Sequence, residues 1–399
     1  MINISELVES LAPSGTLAMA QKAGEMKAAG IDVISLSLGE PDFPTPSHIK
    51  EAAKRAIDEN YTTYTPVAGY PSLRKAISDT LRAQGLDYAP EQIVVSNGAK
   101  QALSDVILAT VNPGDEVVIP TPAWVSYVEM VKIARGVPVT VPTTIESDFK
   151  VTAAALEAAI TPKTRMVMLN SPSNPTGSVY TYDELKALVD VLVRYPDIVV
   201  LSDEIYQHIN FLGQFTSMGS FPEIHDRVVL INGVSKAYSM TGWRIGFSAS
   251  NLPLAKALTK LQGQTTSNAG SISQKAAEAA YTGSQQCVAD MCAAFRRRRD
   301  LIVDLMRQIP GLKVNCPQGA FYLFPEVSAY LGTVSPDGKE INTAGDLSMY
   351  LLEKAHVATV DGDSFSAPGY IRLSYATSDD KIREAVRRIA EALALLKKK

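Results

Sequence analysis

Two apolar runs, IVVLSDE at 198–204 and VVLING at 228–233, decide the fold class of this chain. Each is short and rich in β-branched or aliphatic residues, and each ends in polar residues or glycine. Runs of this kind are typical of strands that are buried on both faces of a sheet. They predict a largely parallel sheet with helices packed on both sides.

Further strands and helices alternate around these two runs. Strands are predicted in four more ranges, 93–97, 116–120, 137–141 and 165–170, with helical patterns between them. One helix is predicted to begin after Thr181, because Thr181 and Glu184 have the spacing of a capping box. This alternation predicts an α/β fold with a mostly parallel central sheet.

The pattern changes after Leu252. A long helix is predicted from 272 to 308, followed by a β-rich run at 321–327, a helix at 344–356, a strand at 370–376 and a final helix at 379–396. The smaller share of strands predicts a second, smaller α+β domain. We therefore predict an N-terminal arm that belongs partly to the small domain (1–45), a large domain (46–290) and a C-terminal small domain (291–399).

Composition narrows the classes of function. The chain has 399 residues, 46% of them apolar and 20% charged, with a formal net charge of −4, so no basic field favours nucleic acid. No apolar run is long enough to span a membrane and no secretory signal is visible, which predicts a cytoplasmic protein. The three cysteines lack CxxC spacing and the four histidines are scattered, so neither a disulfide framework nor a metal site is expected.

Polar or glycine-rich breaks follow several of the predicted strands. They are SNGAK (96–100), NSPSNPTG (170–177), SDE (202–204) and NGVSK (232–236). Since ligands of parallel sheets bind at the carboxyl ends of strands, these breaks are expected to meet in one cleft. In SNGAK a strand ends and a helix begins, which suits an anion, although that segment taken alone favours an ordinary βα turn.

Lys236, Arg244 and Asp203 carry the chemistry that these breaks suggest. A lysine at a buried strand end loses water, which lowers its pKa and frees its amine to attack an aldehyde. Arginine offers a planar fork to a phosphate. Asp203 ends a very apolar strand and would need a cationic partner, such as a protonated pyridine nitrogen, but a helix N-cap is the alternative. Taken alone, Lys236 favours a loop lysine that caps the preceding turn.

Together, eight segments resemble the class I and II aminotransferases of fold type I, close to the bacterial aspartate aminotransferases. In chain order they are SLGEPDFPTP (36–46), YTPVAGYPSLR (64–74), SNGAKQAL (96–103), PAWVSY (122–127), NSPSNPTG (170–177), SDEIY (202–206), SKAYSMTGWRIG (235–246) and IRLSYATS (371–378). The resemblance implies pyridoxal 5'-phosphate (PLP) as the cofactor and a homodimer with shared active sites.

The resemblance also implies a role for each matching residue. Lys236 would form the Schiff base with PLP and move the substrate proton. Cofactor contacts are implied for Tyr64 (reaching the neighbouring subunit), Gly98, Ala99, Lys100, Trp124, Asn174, Asp203, Tyr206, Ser235 and Arg244. Substrate contacts are implied for Gly39, Lys100, Trp124, Asn174 and Arg372, with Arg372 holding the α-carboxylate.

One position departs from the family pattern. Some relatives carry a serine three residues before the lysine, where this chain has Gly233, so the phosphate is expected to have one hydroxyl donor fewer.

Bifunctional relatives tend to carry a basic residue where this chain has Ala12, which disfavours prephenate. L-Aspartate with 2-oxoglutarate is therefore the first substrate pair, and aromatic, prephenate or broad specificity is the alternative.

Two rival activities use the same cofactor residues. Another fold-type I reaction, such as a C–S lyase, depends only on which bond at the α-carbon is broken. A PLP-binding regulatory module is the rival outside enzymes, and such modules usually carry an added DNA-binding domain. Release of a 2-oxo acid without ammonia or thiol separates a transaminase from the lyase.

Overall fold

The computed structural model describes residues 2–398. Its helices are α1 (Glu6–Glu9), α2 (Gly15–Ala28), α3 (Ser47–Asp58), α4 (Pro71–Ala83), α5 (Ala99–Thr110), α6 (Ser126–Ile133), α7 (Ala153–Ala159), α8 (Tyr182–Leu192), α9 (Leu252–Thr265), α10 (Ser271–Thr282), α11 (Gln286–Met306), α12 (Ala344–Tyr350) and α13 (Asp379–Ala394). Its strands are β1 (Ile34–Ser35), β2 (Ile93–Ser96), β3 (Glu116–Thr121), β4 (Val137–Pro142), β5 (Thr164–Asn170), β6 (Val199–Asp203), β7 (Val228–Gly233), β8 (Gly246–Ala249), β9 (Tyr322–Leu323), β10 (Thr333–Val334), β11 (Glu340–Ile341), β12 (Val357–Ala358), β13 (Val360–Asp361), β14 (Ile371–Ser374) and β15 (Lys397–Lys398).

The central sheet has seven strands within residues 2–398, in the order β2-β8-β7-β6-β5-β3-β4. Its neighbours run parallel, except that β8 is antiparallel to both β2 and β7. The predicted α/β fold with a mostly parallel sheet is confirmed. The sequence reading missed β8, because this strand directly follows the polar run at 235–244 instead of a helix.

Side chains of the central strands alternate between two cores. Val118 and Val200 pack on one face, whereas Val117 and Leu201 pack on the other. This follows from the period of two in a β-strand, which sends successive side chains to opposite faces. Because helices cover both faces, each of these side chains contributes roughly 1.5–3 kcal/mol when it is fully buried. The apolar runs in the sequence are explained by this double burial.

A further core joins the N-terminal region to the C-terminal third. Ile34 and Leu36 pack there with residues of α11 and α13, and β1 pairs with β12 in parallel. This packing supports the predicted small domain, and the boundaries after residues 45 and 290 stay a prediction. Helix α11 runs across the second boundary: Val288 packs in a core of the central sheet and Phe295 in the C-terminal core.

The single helix predicted from 272 to 308 is wrong, since two helices, α10 and α11, occupy this range. The chain turns at Gly283, whose ψ of −174° is extended. The Gln285 side chain donates to the carbonyl oxygens of Ala280 and Gly283, each at 2.9 Å, and so satisfies groups that the end of α10 leaves free. Side-chain capping of this kind left no mark in the apolar periodicity.

The predicted capping box is confirmed: Glu184 N donates to Thr181 Oγ1 at 3.3 Å, and Thr181 N donates to Glu184 Oε2 at 2.8 Å.

Other predicted elements are shorter in the structure. Of the β-rich run at 321–327, only β9 pairs as a strand, because Pro325 lacks the amide that a continuing ladder requires. The helix predicted at 344–356 consists of α12 and a following π-helical turn.

Candidate active site

A cleft of about 530 Å³ opens at the carboxyl ends of β5, β6 and β7. Most of the predicted site residues line it, and the structure therefore brings together segments that are hundreds of positions apart. The predicted residues in the lining are Gly39, Ala99, Lys100, Trp124, Asn174, Asp203, Tyr206, Ser235, Lys236, Arg244 and Arg372. Gly98 lies directly behind the lining, against Arg244. Tyr64 lies outside it.

Lys236 projects into this cleft from the loop after β7. Its Nζ donates to the carbonyl oxygen of Gly39 at 2.7 Å and lies 5.7 Å from the centre of the Tyr206 ring. Desolvation lowers the pKa of Lys236 to about 8, against a smaller opposing effect of the Glu40 carboxylate. A substantial share of this amine is therefore neutral slightly above neutral pH, as a nucleophile or a base requires.

Asp203 stands at the end of β6 as a buried acceptor. Its Oδ2 accepts from Tyr127 Oη at 2.6 Å, and its Oδ1 accepts from the amide of Ile205 at 3.1 Å. Burial raises the pKa of Asp203 to about 6 although both donors lower it. No lysine or arginine within residues 2–398 forms an ion pair with this carboxylate. A turn follows instead of a helix, so the N-cap alternative is wrong.

Backbone and side-chain groups that donate hydrogen bonds gather where β2 meets α5. Gly98 has φ +86° and leads into the first amides of α5, which have no partner inside the helix. Arg244 lies against Gly98 and donates to two backbone carbonyls, Thr241 O at 2.9 Å and Asn97 O at 3.3 Å. Since its acceptors are neutral, the guanidinium charge is available to an anion. Ser235 is buried and lines the same cleft as Ala99 and Arg244.

The backbone packed around Gly233 explains why this chain has a glycine where some relatives carry a serine. A Cβ at this position would lie 2.7 Å from the Cα of Gly246 and 2.8 Å from the carbonyl oxygen of Ile245. Gly246 is the first residue of β8, which pairs with β7, and Ile245 directly precedes it, so neither backbone atom can move independently of the sheet. Close pairing of β7 with β8 thus leaves no space for a side chain at 233, and Ser235 is the nearby hydroxyl.

Arg372 is a buried cation that also lines the cleft. Its Nη1 donates to Asn174 Oδ1 at 3.0 Å and its Nη2 to the carbonyl oxygen of Ser37 at 2.5 Å, while its buried Nε has no partner within residues 2–398. The guanidinium lies 4.7 Å from the Tyr322 ring centre and 4.9 Å from that of Phe365. A buried guanidinium without a carboxylate, and with a free donor, fits a carboxylate ligand.

Two aromatic residues and a lysine complete the wall. Tyr206 is buried and its hydroxyl lies 2.7 Å from that of Tyr322. Trp124 is half-buried, borders the cleft, packs against a core of the central sheet and makes an edge contact with Tyr127. Lys100 Nζ lies 4.9 Å from the Trp124 ring centre, and desolvation together with Arg244 lowers its pKa.

Tyr64 is the predicted residue that this chain's own cleft does not include. Its side chain is 91% exposed, so its predicted role in a neighbouring subunit stays a prediction.

Across residues 2–398, no helix has the length and apolar composition needed to cross a membrane. In the same range, no three His, Cys, Asp or Glu side chains gather as a group that would hold a metal ion.

Sequence reasoning missed three parts of the site: Tyr127, Tyr322 and the carbonyl of Ser37. Tyr127 ends the quoted segment PAWVSY, three residues after Trp124, and a helical turn brings it back toward β6. Tyr322 lies within the predicted β-rich run but carried no motif. The Ser37 carbonyl has no side-chain signal at all, because any residue supplies the same backbone acceptor.

The central sheet is mostly parallel, and its cleft is bordered by Lys236, an aspartate and two arginines. This is the arrangement expected for the class I and II aminotransferases. The family described as aminotransferase class I and II matches residues 31–389, and this chain belongs to that family.

Relatives with sequences similar to this chain carry more specific names. It is 48% identical over 393 residues to a probable aspartate/prephenate aminotransferase of Rhizobium leguminosarum bv. phaseoli, covering 98% of each chain. It is also 48% identical over 394 residues to an aspartate aminotransferase of Geobacillus stearothermophilus, covering 97% of this chain and 98% of that one. The crystal structure of the aspartate aminotransferase from Rhizobium meliloti superposes with a TM-score of 0.96 at 44% identity over 100% of both chains.

Proposed function

We propose that this enzyme binds PLP and transfers the amino group of L-aspartate to 2-oxoglutarate, giving oxaloacetate and L-glutamate. One observation carries the proposal: Lys236, Asp203, Arg244 and Arg372, which come from three separate segments of the chain, border a single cleft. The two aspartate aminotransferases described above, which resemble this chain over nearly its whole length, support the choice of substrates.

The chain's own residues fit PLP at four points. Asp203, which is buried and has no ion-pair partner within residues 2–398, suits the protonated ring nitrogen, and Trp124 suits the ring face. The Gly98 turn, Ser235 and Arg244 suit the phosphate dianion, because amides, a hydroxyl and a guanidinium all donate there. Tyr206 and Asn174 suit the phenolic oxygen. When bound, PLP supplies an electron sink for the charge that develops at the substrate α-carbon.

The protein's part in catalysis is to orient the amino acid and move one proton. Arg372 would bind the α-carboxylate, since its Nε is free and its Nη2 is held only by the carbonyl of Ser37. Lys100 would meet the distal carboxylate of aspartate from the opposite wall. Lys236, with its pKa near 8, would take the proton from Cα and return it to C4' of the cofactor. Positioning of this kind supplies much of the rate.

A second set of substrates is prephenate or an aromatic amino acid. The probable aspartate/prephenate aminotransferase of Rhizobium leguminosarum bv. phaseoli favours it by its name. Ala12 argues against it, because it adds no positive charge near the cleft mouth where Ser14 and Thr16 lie. A C–S lyase reaction or a regulatory role would use the same cofactor residues and remains a lower alternative.

A half-reaction screen tests the proposal. The PLP-loaded protein is mixed with aspartate, glutamate, phenylalanine and cysteine, and the visible absorption of the bound cofactor is followed while the released product is identified. Aspartate is expected to remove the absorption fastest and to release oxaloacetate without ammonia. The cofactor form that results is then mixed with 2-oxoglutarate or prephenate, which ranks the acceptors. Ammonia or thiol release at the same rate would contradict transamination.

We also propose a cytoplasmic homodimer in which Tyr64 reaches the partner's phosphate site. The exposed Tyr64 side chain, outside the cleft of its own chain, supports this.

Gly98→Ala is expected to weaken PLP binding roughly 10- to 100-fold, because the new Cβ collides with the Arg244 guanidinium and displaces a charge-assisted donor from the phosphate. Gly114→Ala is the matched control: Gly114 has the same φ of +86°, but nothing lies within 4 Å of its added Cβ. Both variants carry the left-handed backbone strain, whereas only Gly98→Ala moves Arg244. Fluorescence titration with PLP measures the affinities, and equal losses in both variants would contradict the phosphate assignment.

A further inference from the structure

Tyr322 occupies a junction inside the candidate active site. It lies on β9, is completely buried, and touches three functional groups. Its hydroxyl lies 2.7 Å from that of Tyr206, and its ring lies 4.7 Å from the Arg372 guanidinium. Gly39 packs so closely against the Tyr322 hydroxyl that a Cβ at Gly39 would collide with it.

The two hydroxyls share one hydrogen bond but hold two protons. Burial raises the pKa of Tyr206 and of Tyr322, so both stay protonated in neutral solution. One proton lies between the two oxygens, and the other must point elsewhere. Which tyrosine donates therefore decides which hydroxyl is free to donate to a ligand in the cleft.

The surroundings select Tyr322 as the donor. The positive guanidinium of Arg372 lies over the Tyr322 ring and stabilises negative charge there, which makes Tyr322 the more acidic partner. Both tyrosines line the cleft, but Gly39 packs against the Tyr322 oxygen and Tyr322 is 0% exposed, whereas Tyr206 is 4% exposed and lies within reach of Lys236. Within residues 2–398, the hydrogen-bond partner of the Tyr322 hydroxyl is the Tyr206 hydroxyl.

We propose that Tyr322 is a positioning residue for Tyr206: it donates its hydroxyl proton to the Tyr206 oxygen and thereby leaves the Tyr206 proton directed into the cleft. This rests on the proposed function, in which the phenolic oxygen of PLP accepts that proton. A donor to Tyr206 also polarises its O–H bond, so Tyr206 donates more strongly. The ring of Tyr322 has a separate part, because it supports Arg372.

The test measures the pH midpoint at which the visible absorption of the PLP-loaded protein titrates. Tyr206→Phe is expected to raise this midpoint, because a lost hydrogen bond to the oxygen disfavours its charged form. Tyr322→Phe keeps the ring and removes only the donor, so we expect an upward shift of roughly 0.5 pH unit, smaller than that of Tyr206→Phe. The charged groups facing the pair, Asp203, Lys236, Arg372 and Glu40, are the same in all variants.

The double variant decides whether Tyr322 acts through Tyr206. If it does, Tyr206→Phe with Tyr322→Phe has the midpoint of Tyr206→Phe alone. Additive shifts, or a Tyr322→Phe midpoint equal to that of the unmodified protein, would overturn the inference while PLP binding itself stands. An unmodified protein that forms no absorbing PLP complex would overturn the proposed function as well.

Tyr350→Phe is the matched control for a buried tyrosine hydroxyl. Tyr350 is 1% exposed and donates to the carbonyl oxygen of Ala392 at 2.9 Å, away from the cleft. Its loss is expected to lower thermal stability to a similar degree and to leave the midpoint unchanged. A midpoint shift in this variant equal to that of Tyr322→Phe would assign the effect to general loosening and overturn the inference.

Discussion

Lys236→Ala is expected to abolish transamination, with turnover at least about 10⁴-fold lower, and to leave no covalently attached PLP. The reason is that one amine has both tasks: it attacks the cofactor aldehyde and moves the proton at Cα. In the structure its Nζ is held at 2.7 Å by the Gly39 carbonyl, at the centre of the cleft. Lys100, the other lysine of the lining, lies beside Trp124 and does not replace it.

Borohydride reduction of the PLP-loaded protein followed by peptide mass spectrometry measures the attachment. The modified peptide is expected to contain position 236 in the unmodified protein and to be missing in Lys236→Ala. Lys150→Ala is the control, since Lys150 is also mostly buried, but it pairs with Glu184 away from the cleft. A reduced cofactor adduct in Lys236→Ala, at Lys100 or elsewhere, would refute the assignment.

The same lysine predicts a pH dependence of cofactor capture. Because desolvation lowers its pKa to about 8, the ammonium form dominates below that pH and the neutral amine above it. The rate of covalent capture of PLP by the cofactor-free protein is therefore expected to rise with pH up to about 8 and then to level off. A rate that still rose steeply toward pH 10 would contradict a desolvated Lys236.

Asp203→Asn is expected to lower turnover by about 10²- to 10⁴-fold, because it would remove the anionic partner of the protonated ring nitrogen, and the loss of one partner of a buried ion pair costs about 3–5 kcal/mol. The asparagine keeps the size and one acceptor for Tyr127, so the loss measures charge. Without the carboxylate, the cofactor ring nitrogen loses its proton and the ring becomes a weaker electron sink. Steady-state kinetics with aspartate and 2-oxoglutarate, together with PLP titration, measure both effects.

Asp105→Asn is a closely matched control. Asp105 is a buried carboxyl whose pKa burial likewise raises to about 6, but it accepts from Gln101 on α5 and lies outside the cleft. Its replacement is expected to change stability and not turnover. Equal kinetics in both variants would contradict the role of Asp203.

Asp203 also predicts a pH dependence of PLP binding. Since Asp203 protonates as the pH falls through about 6, the PLP affinity of the unmodified protein is expected to fall below that pH. The Asp203→Asn variant is expected to lose this dependence.

Much of this protein follows from local sequence. Strands buried on both faces must be continuously apolar, which is why 198–204 and 228–233 marked the sheet. Ligand-binding loops follow parallel strands, so Lys236 and Asp203 were recognisable as candidates from their positions. Glycine at 98 belongs to the same kind of signal, because the turn into α5 requires a positive φ.

Contacts between distant segments were decided only by the tertiary structure. Tyr206 meets Tyr322 across 116 positions, and Arg372 reaches the Ser37 carbonyl across 335. Neither contact has a periodicity or spacing that a sequence displays, and a backbone carbonyl has no residue identity at all. The glycine at position 233 is explained by β8, which lies against it and leaves no space for a side chain. The sequence by itself determined which groups carry the chemistry and which strands bear them. Packing between the segments decided which hydroxyl, carbonyl or ring holds each group in place. These contacts depend on distances that exist only after folding.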